Sequence, residues 1–105
     1  MKEILPAELK ALMDQKADFQ LIDVREPHEY DIANLGGQLI PLSEIPASVE
    51  KISKDKQVVI HCRSGARSGQ VVQWLEANHG YENLWNLKGG ILGWSDQVDP
   101  TVTKY

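Results

Sequence analysis

Short apolar runs and helix-like stretches alternate along this chain. FQLIDV (19–24), QLIPL (38–42), QVVIHC (57–62) and ENLWNLKGG (82–90) read as strands. Between them, PAELKALMDQ (6–15) carries Leu9, Leu12 and Met13 at helical spacing, with Pro6 suited to a first helical position. EPHEYDIANLGG (26–37) predicts a short helix opened by Pro27 and closed at the glycines, and SEIPASVEKISKD (43–55) a helical segment with Ser43 as N-cap. ARSGQVVQWLEANHG (66–80) presents Val71, Val72, Trp74 and Leu75 as a wide apolar face ended by Gly80, and ILGWSDQV (91–98) predicts a closing helix. Alternation of this kind favours an α/β sandwich on a mostly parallel sheet, because a parallel strand pair needs a crossover between its members.

A chain of 105 residues suits one domain, 1–105, and the sequence has no internal repeat or low-complexity linker. Hydrophobic residues make up 42% and charged residues 25%, the balance of an ordinary globular chain. The net charge of −4 argues against non-specific attraction to nucleic acid or anionic lipid, so any anion site must be local. The opening MKEILPAELK has no signal-peptide core, and no apolar run is long enough to span a bilayer; a cytoplasmic location is the expectation. One cysteine forms no intrachain disulfide, and Cys62, His28, His61 and His79 do not have zinc-ligand spacing, so no metal and no cofactor are expected.

That one cysteine lies in HCRSGARSG (61–69), between the best strand and the best helix. Ligands of open parallel sheets bind beyond the carboxyl ends of the strands, and this stretch belongs there. Gly65 allows a tight turn, and a loop entering a helix near Ala66 directs successive N–H groups inward as an anion nest, reinforced by the helix N-terminus. A thiolate is the reactive form of cysteine. Inward amides, the helix end and Arg63 and Arg67 together favour that anion over the thiol. The alternative is a small buried hydrophobe, the common role of free cysteine.

HCRSGARS resembles the active-site loop of the rhodanese family: a Cys, four residues, an Arg and then Ser. LIDVREPHEYDIANLGGQLIPL is similar to the first signature segment of those domains, and NLKGGILGW to their C-terminal signature. The resemblance implies a rhodanese-like fold, with a five-stranded, mostly parallel sheet and helices on both faces. It also implies sulfurtransferase activity: Cys62 takes a sulfane sulfur from a donor such as thiosulfate, holds it as a persulfide and passes it to a thiophilic acceptor. The loop residues Arg63, Ser64, Gly65, Ala66, Arg67 and Ser68 then bind the substrate, with Arg67 also bracing the loop, and Asp23 and Arg25 support the site. Ala33, Asn34 and Leu35 stand where many members have Gly-His-Ile, and Asn34 cannot carry a proton as imidazole can. The first signature is most similar to modules joined to adenylating enzymes that load sulfur carriers, which implies a thiol or a sulfur-carrier protein as acceptor.

Two other classes share these features. Cysteine-dependent phosphatases and arsenate reductases have His-Cys and a later Arg, but with one residue more than the four between Cys62 and Arg67. Non-catalytic rhodanese-like binding modules commonly lack the Cys. Among the remaining residues, His61 precedes Cys62 in a strand and so projects to the opposite face, as a structural histidine. Trp74 suits the core, and Trp85 and Trp94 the core or a pocket rim. GGILG (89–93) lacks the spacing of a nucleotide loop, and His79 suits a helix C-terminus.

Overall fold

A computed structural model describes residues 1–105. Five parallel strands, β1 (Glu3–Ile4), β2 (Phe19–Asp23), β3 (Gln38–Leu39), β4 (Gln57–His61) and β5 (Leu84–Leu87), form one sheet in the order β1-β5-β4-β2-β3. The helices are α1 (Pro6–Asp14), α2 (Pro27–Ile32), α3 (Ala66–His79) and α4 (Gly90–Gln97). This is the rhodanese-like α/β architecture that the resemblance implied.

Strand periodicity divides the core in two. Val58, Ile60 and Cys62 face one side of the sheet with Val71, Val72 and Leu75 of α3, whereas Val59 faces the other with Leu9 of α1 and Trp94 of α4. Alternation along β4 therefore needs apolar residues at consecutive positions, which is why its sequence is a continuous apolar run. Trp94 is buried in the second cluster, Trp85 packs against it and Trp74 packs against the first.

Two elements depart from the sequence reading. β1 is two residues long, pairing Glu3 with Asn86 and Ile4 with Leu87, too short to leave any periodicity. The segment expected to be helical over 43–55 is instead two 3₁₀ turns, Leu42–Ala47 and Val49–Lys51. Pro46 lies inside the first and has no N–H for an α-helical bond. Ser43 caps nothing: Pro41 occupies the N-cap position, without a side-chain hydrogen bond.

The central register sets up the site. β2 and β4 pair from Phe19 opposite Gln57 to Asp23 opposite His61, so both strands end at the same edge. β5 runs beside β4, with Ile60 opposite Asn86. The turns that leave β2, β4 and β5 consequently converge.

Candidate active site

β4 ends at His61, and the backbone turns through Gly65, at φ 106°, into α3. A left-handed residue at this point reverses the chain sharply, which glycine does without steric cost. The first intrahelical bond of α3 runs from Gly69 N–H to Gly65 O at 3.0 Å, leaving earlier amides without intrahelical acceptors. They are directed toward the Cys62 sulfur: Gly65 N–H donates to Sγ at 3.1 Å, and the Ser68 hydroxyl lies 3.3 Å from it.

Cys62 is only 1% exposed, so burial alone opposes ionisation of its thiol. The Ser68 hydroxyl and the amides of Ser68, Gly65 and Ser64 outweigh that penalty and bring the thiol below its ordinary value. Burial thus matches the small-hydrophobe alternative, but the donor set does not, because an inert buried thiol has no need of several hydrogens aimed at it.

Asn86 on β5, which the sequence reading passed over, fastens this loop from beneath. Its side chain donates to Gly65 O at 3.1 Å and accepts from Ser68 Oγ at 2.5 Å. It therefore touches two of the three residues whose donors reach the sulfur. A hydroxyl carries one hydrogen, so Asn86 and Cys62 share the same Ser68 proton.

The GG of the C-terminal signature has a local explanation as well. Ile91 N–H donates to Cys62 O at 3.0 Å and Leu92 N–H to Arg63 O at 3.1 Å, so the start of α4 holds the outer backbone of the loop. A Cβ at Gly90 would lie 2.4 Å from Arg63 O and 2.7 Å from Cys62 O. Only glycine admits this approach.

Beside the cradle lies a charged network. Arg25 is fully buried; Nε and Nη2 grip Asp23 at 2.7 to 3.1 Å, Nη2 also donates to Ala33 O at 2.8 Å, and Nη1 donates to Tyr105 Oη at 2.9 Å. Arg67 makes a bidentate pair with Glu29 of α2, at 2.7 and 2.9 Å. This pairing, chiefly its hydrogen bonds, holds the Glu29 carboxyl well below the usual carboxylate range and raises Arg67. Tyr105 Oη donates to Glu29 Oε2 at 2.7 Å. Glu29 and Tyr105 were also missed, because their partners lie 38 and 76 residues away in the chain.

The sequence-selected residues thus separate into three groups. Cys62, Ser64, Gly65 and Ser68 surround the sulfur; Asp23, Arg25 and Arg67 belong to the charged network; Arg63 and Ala66 are exposed on the loop. His61 is fully buried; its Nδ1 lies 3.3 Å from Cys62 O, while Nε2, 3.6 Å from Asp23, has no hydrogen-bond partner. Burial depresses its pKa and keeps the imidazole neutral, on the face opposite Cys62. Asn34 is exposed in a local turn, its Oδ1 accepting from Gly36 N–H at 2.9 Å.

A parallel sheet whose central strand delivers a cysteine into a ring of helix-initiating amides defines a rhodanese-type domain. The chain belongs to the rhodanese-like domain family, whose model matches residues 5–97. A protein named "Sulfurtransferase" from Allochromatium vinosum is 37% identical, over 97% of this chain and 95% of that protein. "Probable adenylyltransferase/sulfurtransferase MoeZ" of Mycobacterium tuberculosis is 35% identical over 97% of this chain. The chain spans 26% to 38% of the length of such longer relatives. The crystal structure of a rhodanese-like domain protein from Staphylococcus aureus superposes with a TM-score of 0.82 at 33% identity, covering 93% of this chain and 95% of that one.

Proposed function

We propose that residues 1–105 act as a single sulfurtransferase domain in the cytoplasm, carrying a sulfane sulfur on Cys62. The Cys62 thiolate attacks the outer sulfur of thiosulfate; a new S–S bond forms, the donor S–S bond breaks, and sulfite leaves with the bonding pair. The persulfide's terminal sulfur is then attacked by an acceptor, and the electron pair of the breaking S–S bond returns to Cys62 as thiolate. Charge balances in each half without an external oxidant or reductant.

The observation that carries this reading is the set of hydrogens converging on Sγ, from Gly65 N–H at 3.1 Å and Ser68 Oγ at 3.3 Å. Donors fixed around a developing anion lower its energy without reorganising during reaction. In this reading Ser64, Gly65, Ala66 and Ser68 line the bound sulfur. Arg63 draws in an anionic donor, thiosulfate or a low-molecular persulfide, while Arg67 holds the loop to α2 through Glu29. Asp23 and Arg25 brace the end of β2. The names of the relatives support the class, and the likeness of the first signature segment to modules joined to adenylating enzymes favours a sulfur-carrier protein among the thiol acceptors.

Incubation with thiosulfate followed by intact-mass measurement tests the proposal. One added sulfur is expected, absent in Cys62→Ser and removed by cyanide with release of thiocyanate. Hydrolysis of an aryl phosphate without sulfur loading would assign a phosphatase instead. Neither activity, in a folded protein, would assign a binding module.

A further inference from the structure

The chain has three arginines, and they differ in their partners. Arg25 is paired with Asp23 and Arg67 with Glu29, whereas Arg63, next to Cys62, forms no ion pair. Its guanidinium carbon lies 5.0 Å from the centre of the Tyr105 ring, and that of Arg25 lies 5.7 Å from the same ring. The ring is anchored at its polar end, where Oη accepts from Arg25 and donates to Glu29. An aromatic face within about 6 Å attracts a cation. It leaves the guanidinium N–H groups available for bidentate contact with an oxyanion.

We propose that Tyr105 is a positioning residue that holds Arg63, on the loop that carries the reactive sulfur, to recognise a sulfate-like anionic group on the donor. The nature of the donor rests on the sulfur-transfer reading; the placement of Arg63 on the ring does not. A long, exposed cation loses conformational freedom when it grips a ligand, and docking it beforehand removes part of that cost. Tyr105 lies outside the residues 5–97 that match the family model, so this contact belongs to the chain's own C-terminal segment.

Two readouts test the assignment: thiosulfate–cyanide kinetics and, independent of turnover, the sulfate concentration that half-protects Cys62 from iodoacetamide. Tyr105→Leu keeps apolar bulk without a π face or hydroxyl. It is expected to raise both the thiosulfate KM and the half-protecting sulfate concentration about 3- to 10-fold, with kcat within about two-fold. Tyr105→Phe, which keeps the ring, is expected to give a smaller shift of about two-fold and serves if the leucine variant does not fold. In an Arg63→Gln background, neither change should add a further shift.

An unchanged sulfate midpoint in a folded Tyr105→Leu protein, an equal shift in the Arg63→Gln background, or no sulfate protection of the parent protein would each overturn the role of Tyr105. A parent protein that sulfate protects but that makes no thiocyanate would instead overturn the sulfur-transfer reading.

Discussion

The turns from β4 into α3 and from β5 into α4 share a design and differ in what their amides meet. Each has a left-handed glycine at the N-cap, Gly65 at φ 106° and Gly89 at φ 79°, and each leaves its strand at the same edge of the sheet. At α4 the free N–H groups of Ile91 and Leu92 already have acceptors, the carbonyls of Cys62 and Arg63. At α3 the donors face a sulfur. A helix N-terminus is therefore an anion site only where nothing from the protein backbone occupies it. Here one N-terminus is used to position the other.

Several substitutions probe this division of labour. Gly90→Ala should have the largest effect, because its Cβ would meet the Arg63 and Cys62 backbone and no side-chain rotation relieves the clash. Loss of about 3 kcal/mol or more in stability is expected, together with about 100-fold or more in activity as the loop shifts. Thermal unfolding and thiocyanate assays measure the two. Gly65→Ala has room for its methyl group, the nearest atom being Leu87 O at 3.6 Å, and suffers only from its positive φ. It should cost about 1–3 kcal/mol, less than Gly90→Ala. If the two rank the other way, the bracket assigned to α4 is wrong.

Glu29→Gln tests whether the charged network only braces the loop. Loss of the Arg67 pair should destabilise the protein by about 1–2 kcal/mol at neutral pH, a range that allows for the partial exposure of Arg67. The Glu29 pKa is depressed in the folded state, so its contribution is fully present above the unfolded carboxyl value of about 4.3 and fades as pH falls below it. The gap between the two proteins in urea unfolding should accordingly narrow steadily as pH falls from about 4.3 toward the depressed folded value, with part of it remaining at pH 2–3; a gap of the same size at pH 7 and pH 2 would contradict the assignment. Ser68→Ala should act on the sulfur more than on the fold. Loss of one donor should raise the thiol pKa, seen as a pH profile for iodoacetamide reaction displaced to higher pH. An unshifted profile would remove Ser68 from the cradle.

Legibility in the sequence followed the distance between partners. The Cys62 loop, its preceding strand and the following helix are contiguous, so residue order alone places the thiol at a strand end before a helix. The apolar runs and the helical spacing likewise place β2, β4, α1 and α3. β1 left no pattern because two residues make no period, and the 43–55 segment misled because its charged and apolar spacing outweighed Pro46. Asn86, Glu29 and Tyr105 contact Ser68, Arg67 and Arg25 across separations of 18, 38 and 80 residues, which no local window contains. The double glycine was visible from the start. Its purpose became clear only when α4 was seen against the Cys62 carbonyl.

The comparison of the two helix starts rests on negative charge being favoured at one sulfur atom. The rate of Cys62 alkylation by iodoacetamide, followed from pH 4 to pH 10 in the parent protein, measures that preference directly. The account predicts a midpoint below the ordinary thiol value of about 8.5. A midpoint at or above that value would show that burial dominates at Cys62 and that the surrounding donors do not stabilise the thiolate.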